Sequence, residues 1–110
     1  MSTAVADIQA GICGHRTVAR AVTDDGRATD FEVETTCDNI GRMMALLNER
    51  SPVDAYQEID PRAQSAILAC AREGRCCTDC IVPASLIKAL RVATNLALPA
   101  DVTITLSREE

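Results

Sequence analysis

Hydrophobic and polar positions alternate along the first third of the chain, then recur at helical spacing. Residues 4–12 place Ala6, Ile8, Ala10 and Ile12 on one side and Asp7 and Gln9 on the other, the two-residue period of a strand. Gly11 and Gly14 bracket a turn holding Cys13 and His15. A second strand is expected from about Thr17 to Thr23. Asp25-Gly26 then signals a hairpin, and a third strand follows with Phe31 and Val33 facing one way and Asp30, Glu32 and Glu34 the other. A two-residue loop at Asp25-Gly26 would set Val18 opposite Val33 and Val22 opposite Thr29. That register gathers Val18, Val22, Phe31 and Val33 on one face, with Arg20 snorkelling from the same face near the sheet edge.

The period then lengthens. Thr36 is the expected cap of a helix carrying Ile40, Met43, Met44 and Leu47, which Ser51-Pro52 stops. Ser51, Pro52 and Asp54 read as a turn or a short second helix. Asp60-Pro61 predicts another helix start, with Ala63, Ile67, Cys70 and Ala71 forming a stripe that ends at Gly74. Residues 75–80 form a loop, and Pro83 opens a helix bearing Leu86, Ile87, Leu90, Ala93 and Ala97 before Pro99. The alternation in Val102-Thr-Ile-Thr-Leu106 predicts a last strand. The expected fold is α+β: a three-stranded antiparallel meander, then helices packed on one sheet face, then a returning C-terminal strand. At 110 residues the chain is expected to form a single domain, 1–110.

Composition narrows the function classes. The net charge is −5, and the 11 Lys and Arg residues are spread over the whole length, so no basic stripe addresses nucleic acid. Tyr56 and Phe31 are the only aromatics, too few for a base-stacking platform. An acidic surface disfavours anionic membranes, and no apolar run approaches a membrane span. The first residues lack the pattern of a signal peptide, so a cytoplasmic location is expected. No nucleophile elbow, phosphate loop, dinucleotide fingerprint or acid–base pair is present, and an enzymatic role is not expected.

Six cysteines in a reducing compartment are the chemical signal. Strand order places Cys13 and Cys37 at the same end of the sheet. If residues 52–60 add no further reversal, the helix after Pro61 returns the Cys76-Cys77-x-x-Cys80 run to that end. Thiolates converging from three loops suit zinc or an iron–sulfur cluster. Cys13, Cys37, Cys77 and Cys80 are the candidate ligands, with Cys76 as the alternative to Cys77. Helix N-termini beside Cys37 and Cys80 should favour thiolate there. Cys70, on an apolar stripe, reads as a small buried hydrophobe. His15 reads as a surface turn histidine, with ligation or a supporting hydrogen bond as the alternative, and the acidic residues near Asp24-Asp25 as hairpin chemistry.

Ile12-Cys13-Gly14, Cys37-Asp38-Asn39-Ile40, Cys80-Ile-Val-Pro83 with Ile87-Lys88-Ala89, and Leu96-Ala-Leu-Pro99 before Asp101-Val102-Thr103-Ile104 resemble a family of small uncharacterised cysteine-containing proteins of anaerobic bacteria and methanogenic archaea. The resemblance spans about residues 5–106 and brings no activity. It implies an oxygen-poor setting, in which iron–sulfur becomes a better occupant than zinc. Two other functions stay open: a metal-free accessory module docking a protein partner in a redox or enzyme complex, and a thiol–disulfide protein using Cys77 and Cys80.

Overall fold

The computed structural model describes residues 1–110. Strands β1 (Ser2–Gln9), β2 (Arg16–Thr23) and β3 (Ala28–Thr35) form the expected antiparallel meander, and β4 (Val53–Asp54) adds a short fourth strand in the order β1-β2-β3-β4. Helices α1 (Asp38–Arg50), α2 (Ala55–Ile59), α3 (Ala66–Glu73) and α4 (Val82–Ala93) complete an α+β fold. Helix α4 lies across β1 and β2, and α1 packs on β3 and α3. Ala19 and Ala21 are fully buried, and side chains this small let α4 approach the sheet closely. Ile40, Met43, Leu47, Ile67, Leu86 and Leu90 fill the core between the layers. No helix is long and apolar enough to cross a membrane.

The register of the hairpin corrects the sequence-based expectation by one residue. Val33 stands opposite Ala19, not Val18, and Thr29 opposite Thr23. The turn is built by side chains. Asp25 Oδ1 accepts the N–H groups of Arg27 and Ala28 at 2.9 and 2.8 Å, and Thr23 Oγ1 accepts that of Gly26 at 3.0 Å. Gly26 takes φ +77°, a conformation that costs glycine little. The pairs closing the turn thus enclose an odd number of residues, and every side chain of β2 changes face relative to the expectation. Thr17, Ala19, Ala21 and Thr23 point inward; Val18 and Val22 lie on the helix-free face. Arg20 is no snorkelling exception. It lies on the solvent face opposite Glu32.

Other boundaries moved for local reasons. Residues 10–12 leave the first strand for the turn, where Ala10 N–H donates to His15 O. Cys37 occupies the N-cap of α1 in place of Thr36, without a capping side-chain bond. Asp60 binds the Arg62 backbone N–H and forms only a turn, leaving Ala63 exposed. Helix α3 starts after Ser65, whose Oγ accepts from Leu68 N–H at 3.1 Å. Helix α4 ends at Thr94, before Ala97.

The largest departure is at the C-terminus. Residues 102–106, expected to form a last strand, join no sheet, and Val102, Ile104 and Leu106 are exposed. The fourth strand is β4, paired with the start of β3.

Candidate functional site

The end of the sheet beyond Gln9, Arg16 and Thr35 is assembled from three loops. Gly11 and Gly14 adopt φ +90° and +74°, and Gly14 N–H donates to Gly11 O at 2.9 Å, closing the turn that carries exposed Cys13. His15 Nδ1 lies 2.9 Å from Thr36 Oγ1, so this turn is fastened to the junction of β3 and α1. Thr35 Oγ1 accepts the Cys37 N–H at 3.1 Å and is itself bonded to Thr17 Oγ1 at 2.9 Å. Cys37 is thereby held half-buried at the mouth of α1.

The third loop arrives along α3, which runs back beside α1 as the topology requires. Its C-terminus is sealed by Gly74 N–H to Cys70 O at 2.8 Å and Cys76 N–H to Ala71 O at 3.0 Å, with Arg75 at φ +60°. Arg42 Nε donates to Gly74 O at 3.1 Å, and Cys76 Sγ donates to Asn39 O at 3.6 Å. Both bonds tie the loop to the first turns of α1. Cys80 N–H donates to Cys77 O at 3.0 Å, closing the Cys77-x-x-Cys80 turn directly before α4.

Five of the six cysteines therefore share one end of the molecule, as the strand order implied. Burial pushes the Cys80 thiol up; the Val82 N–H at its sulfur opposes this, while Cys37, Cys77 and Cys13 add to it as neighbours. Burial likewise pushes up Cys76, with Cys80, Cys37 and Cys77 adding. The helix N-terminus was expected to favour thiolate at Cys80. Its effect is present through Val82 but is outweighed by desolvation. No three His, Cys, Asp or Glu side chains stand within ion-gripping reach of one another. Cys13 and Cys77 sit exposed on turns, whereas Cys37, Cys76 and Cys80 are partly packed against the core. Cys70 is apart from the group, fully buried in the core, and its thiol too is pushed up by burial.

These shifts fix a sign. A thiol whose folded pKa is raised contributes stability below its unfolded pKa and loses it as pH climbs through the folded value. Metal-free, reduced protein should therefore lose thermal stability between about pH 8 and about pH 10, the range where free thiols ionise. Lys88 is the sole lysine, so few other groups obscure the effect. A Cys70→Ala variant should show a shallower decline, and a melting temperature flat across that range would contradict the assignment.

One polar residue that the hydrophobic pattern concealed is Glu58, 5% exposed. Its carboxylate accepts from Ser65 Oγ at 2.7 Å, Ala66 N–H at 2.8 Å and Ile67 N–H at 2.9 Å. Together with Ser65 it satisfies the start of α3, the helix that delivers Cys76, Cys77 and Cys80. A glutamate seven to nine residues ahead of a helix start carries no short-range capping signature. The one local signal there is Ser65 itself, a serine at the N-cap, in place of the start expected at Asp60-Pro61.

No curated protein and no solved structure matches the chain. Residues 4–106, nearly the whole length, match the Family of unknown function (DUF6951), and the chain belongs to that family.

Proposed function

We propose that the protein is a small cysteine-ligated metal or iron–sulfur protein with a structural or electron-transfer role, using Cys13, Cys37, Cys80 and Cys77, with Cys76 as the alternative to Cys77. The observation that carries this is the gathering of five thiols from three separate loops at one end of the sheet. Soft sulfur donors select zinc and iron–sulfur, and four of them leave no open position for Lewis-acid chemistry. Cys13 and Cys77, on exposed turns, are the two that would swing inward to complete the set. The oxygen-poor setting implied by the resemblance to proteins of anaerobes and methanogens favours iron–sulfur over zinc. The same reading carries a cytoplasmic location and a protein partner in a redox or enzyme complex.

Ligation must expel thiol protons, and burial opposes ionisation at Cys80, so uptake should strengthen as pH rises. Anaerobic purification followed by metal and acid-labile sulfide analysis tests the proposal. A stoichiometric metal lost in Cys37→Ser and Cys80→Ser is the expected result, and labile sulfide separates a cluster from zinc. A folded protein that takes up neither zinc nor reconstituted cluster would overturn it. The tight Cys77-x-x-Cys80 turn supports a second function, a reversible disulfide. Its signature is a two-electron thiol titration in metal-free protein that is unaffected by Cys13→Ser.

A further inference from the structure

The C-terminal segment poses a separate problem. Leu98, Val102, Ile104 and Leu106 are 87%, 61%, 64% and 89% exposed. No backbone hydrogen bond reaches any residue beyond Ala97. Yet Val102-Thr-Ile-Thr-Leu106 has the alternation and β-branching of a half-buried strand. The family match runs to residue 106, so this segment is part of the shared domain. In the same chain β1 is the outermost strand of the sheet: eight residues without proline, its outer N–H and C=O groups facing no other strand.

We infer that residues 101–106 pair with the free edge of β1 in a second copy of the chain, giving a dimer by reciprocal strand exchange. The fit is specific. Ala4 and Ala6 are small and inward-facing on β1, beside Ile8, and leave room for Val102, Ile104 and Leu106 to extend the core. Thr103 and Thr105 then face solvent. The six tail residues span about 20 Å against about 26 Å for β1.

The tail leaves α4 without pairing with its own edge. Leu96 N–H and Ala97 N–H both donate to Arg91 O, at 2.8 and 3.2 Å, which fixes the direction in which the chain leaves α4. Leu98 precedes Pro99 and is held to extended backbone, so α4 cannot continue into the tail. The end of α4 lies beside the start of β1: Met1, Ser2 and residues 92–95 line one shallow cavity of about 350 Å³. A tail that starts so close to its own β1, and still lies open along its length, is placed to reach the same edge on a neighbour. Reciprocal use of one patch closes a two-fold dimer without leaving that edge free.

Light scattering on the reduced 110-residue chain should give twice the 11.8 kDa of one copy. The double variant Thr103→Pro/Ile104→Pro removes ladder N–H groups whichever way the strand pairs, and should be monomeric. The tail makes no backbone hydrogen bonds within its own chain, so the variant's body should fold unchanged. Amide exchange should show residues 102–106 protected in the dimer and unprotected in the variant. A monomer with protected tail amides would mean an intramolecular strand, and a monomer with open amides a free tail. A dimer that survives both prolines would use another surface. Each of these three results overturns the inference.

Discussion

Replacing Glu58 with alanine is expected to destabilise the protein by about 3 kcal/mol, because the buried start of α3 loses the side-chain acceptor of three donors. A hydrogen bond is worth about 1 kcal/mol net, and the three donors left behind cannot reach water without opening the helix. For a domain of this size the melting temperature should fall by roughly 10–15 °C. Glu58→Gln keeps one acceptor oxygen but turns an amide NH₂ toward the remaining donor, and should cost about half as much. Denaturant unfolding of the two variants provides the check. Equal losses would mean that the carboxylate contributes volume and not capping.

The second large effect is expected at Gly74. A Cβ there would stand 2.8 Å from Met43 N, 3.0 Å from Met43 Cα and 3.1 Å from Cys70 O. All three are backbone atoms, so no side chain can swing aside. The end of α3 must move away from the body of α1, and overpacking of this kind costs about 1–3 kcal/mol. The strain falls where Arg42 grips Gly74 O and Cys76 meets Asn39 O. Gly74→Ala should therefore weaken the metal or cluster uptake proposed for this end beyond what its melting temperature implies. An equally destabilised core variant remote from this end, such as Leu90→Ala, should leave uptake intact. Matching losses of uptake in both would separate the α1–α3 junction from the cysteines.

What was legible in the sequence is what depends on a single element's own pattern. Ile40, Met43, Met44 and Leu47 repeat at helical spacing and are buried, and Gly74 ends α3 where a C-cap glycine should. The gathering of Cys13, Cys37 and the 76–80 run followed from counting chain reversals, because β4 and α2 add no net reversal before α3 returns. The illegible parts depend on partners. Val18 and Ala19 are both compatible with an inward position, so the face of β2 was decided by Asp25 and Thr23 bonding the turn backbone. Val102 to Leu106 carry a strand pattern with no strand beside them in the chain, since periodicity specifies a surface and not its neighbour. Glu58 was hidden because its role exists only once α2 folds against the start of α3.

The turn between β2 and β3 also constrains how this chain can change length. Its side-chain bonds work as a parity lock: sliding β2 by one residue against β3 would exchange the two faces of one strand relative to the other. Ala19 and Ala21 would surface while Val18, Arg20 and Val22 turned toward α4, an exchange no repacking of the helix could absorb. Steps of two leave the sides intact. Insertions accepted at this exposed tip over evolutionary time, or peptides grafted there by design, should therefore enlarge the loop between Thr23 and Thr29 and leave that pair opposed.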